Sequence, residues 1–300
     1  MHAERLSGAS PASGRDVAGF LAFSHGWTWL WWGVNVVAGF DAFGVPGVAF
    51  TVLGGSGPML GGIVMARRTY GRRGLRDLWR RLVDVDRLPL RWLAVALLLQ
   101  PAFLLAAALV AFVGGSPTPL DAAELVGLLG SPASLLATAG FVLLLGPLPE
   151  EIGWRGYLLD RFQVRTSALT SGVLVGLLWA VWHAPLFVMP GYYASLDFRP
   201  DPLPFGASIV VGSVVYTWLF NNTDRSVLGA VLYHFAGNFT GQTVDLVGGT
   251  QAVETGVRIA FVVLVVAWFG AATLRRDGPR PLPPDAGDRR RESVPSNDGR

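Results

Sequence analysis

The chain has 300 residues, of which 51% are hydrophobic and 15% charged, and its mean hydropathy is +0.44. A soluble globular chain carries about 25% charged residues, so this composition excludes an ordinary water-soluble domain and indicates a membrane protein. Cysteine is absent, which excludes disulfides and thiolate metal sites. All basic side chains other than histidine are arginine, and they sit at the ends of apolar blocks. That placement fits membrane topology better than phosphate recognition, so the net charge of +3 points to no nucleic-acid partner.

Residues 1–16 are polar, and the apolar run after them is too long and aromatic for a signal-peptide core. It reads as the first of about eight spans, since roughly 20 apolar residues cross the hydrocarbon as a helix. In chain order the spans are Val17 to Phe40, Val45 to Met65, Trp92 to Val113, Ser134 to Leu148, Ala168 to Met189, Phe205 to Phe220, Val227 to Gly241 and Val257 to Leu274. The fourth and seventh are short, which suits tilted or protein-buried helices. Gly55-Ser56-Gly57-Pro58 predicts a kink, and Gly172-x-x-x-Gly176 predicts close helix packing. The tryptophans at 27, 29, 31 and 32 with His25 read as an interfacial aromatic belt, and Asn35 as a bond to another helix.

Arginine asymmetry sets the orientation. Arg67 to Arg91 holds nine arginines against three aspartates and Arg275 to Arg300 holds seven, whereas Gly114 to Gly130 and Gln242 to Glu254 hold none. The rich segments belong inside, which with an even span count leaves both termini cytoplasmic. The organisation is then a cytoplasmic segment 1–16, a transmembrane helical domain 17–274 and a basic tail 275–300. The tail's Pro, Arg and Asp content, with the run Arg289 to Arg291, predicts disorder. The fold class is all-α: a polytopic helix bundle in a plasma membrane, with an arginine-only bias that looks bacterial.

Ionisable groups at membrane depth are costly and therefore functional by default. Glu150 and Glu151 end the fourth apolar run, and a helix continuing through Glu-Glu-Ile-Gly-Trp-Arg puts Glu151 and Arg155 on one face, four apart. Glu150 then points about 100° away, free for chemistry. His183 lies one turn after Trp179, and Pro185 predicts the end of that helix. His234 and Asn238 are four apart on one face, two side chains able to meet an oxyanion. Taken singly, each feature also reads as an interfacial salt bridge, an interfacial histidine or a polar interhelical pair.

In order, these residues resemble the motifs of the CPBP (Abi) intramembrane proteases, which include the type II CAAX prenyl endopeptidases. Glu150, Glu151 and Arg155, followed by Gly156-Tyr157-Leu158, match Glu-Glu-x-x-x-Arg; His183 matches Phe-x-x-x-His with Trp179 replacing Phe; His234 and Asn238 match His-x-x-x-Asn. The resemblance covers about residues 134–241. It implies an intramembrane endopeptidase acting on membrane-embedded, lipid-linked or prenylated-type peptides at the bilayer. Glu150 would activate a water held with His183, His234 and Asn238 would bind the oxyanion, and Arg155 would hold Glu151. The family was first named as metalloproteases; the zinc alternative would use Glu150, His183 and His234, and a metal-free glutamate mechanism is favoured. The competing class is a non-proteolytic immunity or regulatory membrane protein, or a proton-coupled carrier, that retains the same residues.

Overall fold

The computed structural model describes residues 14–115, 120–193, 200–246 and 251–283. Most of the 1–16 segment and the tail from residue 284 onward, including Arg289 to Arg291, lie outside the described residues. The fold is helical, as expected, with one two-residue antiparallel pairing, Leu120 with Leu246 and Asp121 with Asp245. Each of the eight apolar runs corresponds to a helical stretch. The first is α1 (Gly14–Ala38), followed by α2 (Gly47–Gly55) and α3 (Gly57–Val83), which divide at Ser56 inside the predicted kink. α4 (Leu90–Val113) leads to the short α5 (Ala123–Leu129), for which no span was expected.

The fourth run becomes α6 (Pro132–Leu145), α7 (Pro147–Gly153), a π-helical turn (Trp154–Leu158) and α8 (Leu159–Gln163). It therefore extends well past Leu148. α9 (Ala168–Trp182), α10 (Pro202–Asn222), α11 (Val227–Thr243) and α12 (Gln251–Phe269) complete the bundle. Five of these stretches, at 47–83, 90–113, 132–163, 202–222 and 252–269, are long and apolar enough to cross a membrane. α9 and α11 have 15 and 17 residues, and α1 is diluted by Ser24, His25 and Asn35.

α3 does not stop at Met65. Its arginine-rich half is helical because Arg is a good helix former, and because Leu75, Leu78 and Leu82 recur on one face against the core. Gly71, at φ 64°, separates the two halves at a kink.

The aromatic set on α1 does more than mark an interface. Trp27 Nε1 donates to Leu53 O (2.8 Å), Trp32 Nε1 to Thr51 O (3.0 Å) and Trp29 Nε1 to Trp182 O (3.1 Å). These N–H groups tie α1 to backbone carbonyls of α2 and of the end of α9. Asn35 donates to Gly47 O at 3.0 Å, the interhelical bond anticipated for it. Two glycines set the spacing of the helices that carry the site. A Cβ on Gly153 would lie 2.4 Å from Pro58 O and one on Gly176 would lie 2.6 Å from Val210 Cα, so α7 abuts α3 and α9 abuts α10 at backbone distance.

At the arginine-rich end a buried ion network ties three elements together, α3, α8 and the α10–α11 turn. Asp160 on α8 accepts from Arg225 Nη2 at 2.6 Å and lies 3.4 Å from Arg81 Nη1, while Asp77 lies 2.9 Å from Arg81 Nε and 3.2 Å from Arg225 Nη2. Arg225 sits in the α10–α11 turn at φ 65°, beside Asp224 at φ 47°. Left-handed backbone of this kind costs about 1–2 kcal/mol per non-glycine residue, and the carboxylates hold it in place. Burial disfavours the charge on Arg225, but Asp160 and Asp77 outweigh it and keep the guanidinium above its ordinary pKa.

The segment after α12 is also pinned. Ala272 O and Ala271 O accept from the backbone N–H groups of Ala168 and Leu169, and Arg280 donates to Thr166 O. Residues 275–283, where the disordered tail was expected to begin, thus run irregularly but in contact with the start of α9.

Removing one member of the network leaves a buried charge unanswered, which typically costs 3–5 kcal/mol. Asp160→Asn should lower unfolding stability by about 3 kcal/mol, read as an earlier transition in detergent-solubilised thermal melts. An unchanged melt would show that the network is not structural.

Candidate active site

Gly146, at φ −129° and ψ −80°, breaks the fourth stretch between α6 and α7, and Pro147 restarts it at the first helical position. The restart turns Glu150 and Glu151 inward. They are 7% and 0% exposed, and Arg155 is also 0% exposed. Arg155 Nη1 donates to Glu151 Oε1 at 3.0 Å, the i,i+4 pairing the spacing predicted, and Nη2 donates to Ser213 Oγ at 3.0 Å. The guanidinium is further held against Tyr216 and Trp179, whose ring centroids lie 3.9 and 4.6 Å from Cζ.

Glu151 Oε1 also accepts from His234 Nδ1 at 2.9 Å. A carboxylate paired with arginine is an acceptor only, so Nδ1 carries the hydrogen and Nε2 of His234 faces elsewhere. His183 is fixed in the same way: Nδ1 donates to Trp179 O at 2.8 Å. A carbonyl can only accept, so Nε2 of neutral His183 is a lone-pair site. His183 caps α9, which ends at Trp182, and Pro185 follows within a 3-10 turn, Ala184–Phe187.

Trp179 joins these groups. Its Nε1 donates to Glu150 Oε2 at 2.5 Å, and its ring centroid lies 5.3 Å from that of His234 and 5.9 Å from that of His183. Expected only to pack against an imidazole, it contributes a hydrogen bond that the Phe it replaces has no atom to make. The second oxygen of Glu150 faces Gly146. A Cβ built there would lie 3.7 Å from Glu150 Oε1 and 3.2 Å from Asn238 Nδ2, so the carboxylate and the amide border one small space that Gly146 keeps open.

Glu150, Glu151, Arg155, Trp179 and His234 thus form one contiguous buried cluster, with Asn238 and His183 at its edges and half-buried. Sequence reasoning missed Gly146, Ser213 and Tyr216. The Gly146-Pro147 pair was a legible breaker signal, whereas a Tyr and a Ser inside an apolar run carry none until α10 is placed beside α9.

The zinc alternative draws on Glu150, His183 and His234. Among the described residues no three His, Asp or Glu side chains are grouped to hold a metal ion. Glu150 Oε2 is engaged by Trp179, and Glu151 by Arg155 and His234. Glu150 Oε1 and the Nε2 atoms of His183 and His234 stand outside these hydrogen bonds.

Residues 132–240 match the family model described as Type II CAAX prenyl endopeptidase Rce1-like, a stretch that begins with α6, ends within α11 and contains every residue of the cluster. The family match is confined to that stretch, 109 of the 300 residues. Over 215 residues, 70% of this chain and 78% of the relative, the sequence is also 25% identical to the CAAX prenyl protease 2 of Methanococcus maripaludis. With its apolar helices, the chain is a multi-pass integral membrane protein.

Arg155→Met keeps the length of the side chain and removes its charge, leaving Glu151 at zero exposure with only His234 as partner. The expected loss is about 3–5 kcal/mol, measured as a drop in unfolding stability; Glu151→Gln added to it should recover part of that loss, and a variant as stable as the parent would refute the pairing's role.

Proposed function

We propose that the chain is an intramembrane endopeptidase that hydrolyses peptide bonds with a water activated by Glu150. The observation that carries this reading is the shared space beside Gly146, bordered by the Glu150 carboxylate and the Asn238 amide and walled by Trp179. A base and an oxyanion donor facing one small site are what acyl hydrolysis requires. Match to a family of endopeptidases supports the reaction class.

In this reading Glu150 takes a proton from water as its oxygen attacks the scissile carbonyl, and His183 Nε2 accepts a hydrogen bond from the water's remaining O–H, which stays on the tetrahedral intermediate. The oxyanion is met by the Asn238 amide and by the His234 ring, which Glu151 orients through Nδ1. Glu150 then returns its proton to the leaving amine as the C–N bond breaks. Arg155 holds Glu151 and through it His234. No metal is assigned a step in this reading. The substrate is a membrane-associated peptide, and lipid-linked or prenylated-type C-terminal segments are the class to try first, by the name of the Methanococcus maripaludis relative.

Cleavage of membrane peptides by the purified full chain tests the assignment. Glu150→Ala should lower the rate by at least about 10²-fold, and Asn238→Ala by roughly 10²–10³-fold, with both proteins still folded. Rates equal to the parent's would overturn it. A second variant addresses Trp179. Trp179→Phe preserves the aromatic wall but deletes the bond to Glu150, and a hydrogen bond to a charged group is worth about 1.5–3 kcal/mol. The rate should fall about tenfold or more through kcat, with KM little changed; an unaltered kcat would make Trp179 a packing residue only.

A further inference from the structure

Beyond the π-helical turn, on the arginine-rich side, α3, α8 and the α10–α11 turn enclose a cavity of about 490 Å3. Gly156 of the turn lines it, and Gly156 O accepts from Arg81 Nη2 at 2.7 Å. Seven lining residues are arginines and two are aspartates, an excess of five positive charges. Asp77 and Asp160 are both engaged by Arg81 and Arg225, as described above.

Arg161 has no such partner. It is 2% exposed, and its guanidinium lies 4.7 Å from the ring centroid of Tyr70 and 5.3 Å from that of Tyr157. Its Nε is buried without an acceptor, and among the described residues no carboxylate or carbonyl hydrogen-bonds to it. A buried cation without a hydrogen-bonded counter-ion is costly by several kcal/mol; two aromatic faces and the field of the adjacent Asp160, itself committed to Arg81 and Arg225, recover only part of that cost. At the mouth of the cavity Arg73, Arg76 and Arg80 project from α3 and are exposed.

A planar guanidinium presents a fork of donors that matches a phosphoryl group in bidentate fashion. An excess of several charges favours a dianion over a lone carboxylate, and a cavity of this size accommodates a headgroup. The cavity also lies in the arginine-rich region that the sequence assigns to the inner face, where anionic lipids supply phosphoryl groups.

We propose that this cavity is a phosphoryl-binding site, with the anion seated on Arg161 between Tyr70 and Tyr157 and neutralised at the mouth by the arginines of α3. The site is separate from the acid–histidine cluster and does not depend on the proposed proteolysis.

The test uses the full chain in phosphatidylcholine nanodiscs, with two ligand arms. In one, phosphatidylglycerol is added and retention is followed by native mass spectrometry; in the other, inorganic phosphate or pyrophosphate is titrated and thermal unfolding is followed. Saturable binding is expected in at least one arm: the first alone identifies a lipid headgroup, the second a soluble phosphate ester. Arg161→Gln should weaken it about tenfold or more, as loss of a charge-assisted contact implies. The exposed pair Arg73→Gln with Arg76→Gln should weaken it about threefold with no effect on folding, and decides the matter alone if Arg161→Gln does not fold. Arg67→Gln with Arg68→Gln removes equal charge from α3 outside the cavity and should leave affinity unchanged. Absence of saturable binding in both arms, or equal affinity for the cavity variants and this control, would overturn the site.

Discussion

A carboxylate and a guanidinium that are both wholly withdrawn from solvent oblige the surrounding structure to answer them. Glu151 and Arg155 are in that position, and an unanswered charge at such depth would cost more than a typical domain can spare. Their neighbours follow from this constraint. Ser213 takes the second guanidinium nitrogen, Tyr216 and Trp179 cover its face, and His234 shares the carboxylate. Those demands bring α7, α9, α10 and α11 to one place. Glycines at 153, 172 and 176 make the approach possible, since each lacks the Cβ that would strike a neighbouring helix.

Because the ion pair and histidine are fixed first, Glu150 is left one residue away with its own, lighter set of contacts. It has one strong donor, Trp179, and one oxygen directed at a space without a side chain. Positioning and reactivity are thereby divided between adjacent acids, an arrangement that a single carboxylate would not allow.

Much of this was readable along the chain. Each of the eight apolar blocks fell on a helical stretch, though α5 was not anticipated, and the i,i+4 relation of Glu151 to Arg155 needed only a continuing helix. The motif residues named the cluster. What was not legible came from two sources. Helix length was underestimated wherever polar residues continued a helix beyond an apolar run, so α3 was ended at Met65 and the fourth stretch at Leu148, and the Asp77, Arg81, Asp160 and Arg225 network went unseen. Partners supplied across helices, Ser213 and Tyr216 above all, have no local signature because their role depends on which face of α10 meets α9. Trp179 illustrates the same limit: its place in the motif was evident, but whether its indole nitrogen met a carboxylate depended on the restart of the helix at Pro147.

The π-helical turn at Trp154–Leu158, where the backbone N–H of Leu159 reaches back five residues to Trp154 O, has an implication for how this sequence can vary. Such a turn accommodates one more residue than an α-helical turn would, and each residue added or removed rotates the downstream helix by about 100°. Upstream of it sit the paired acids, and downstream sit Asp160 and Arg161 in a different polar layer. Loss or gain of one codon in this stretch would therefore leave the hydrophobicity of the segment untouched while rephasing the two layers against each other. The stretch should accept substitutions far more readily than changes of length.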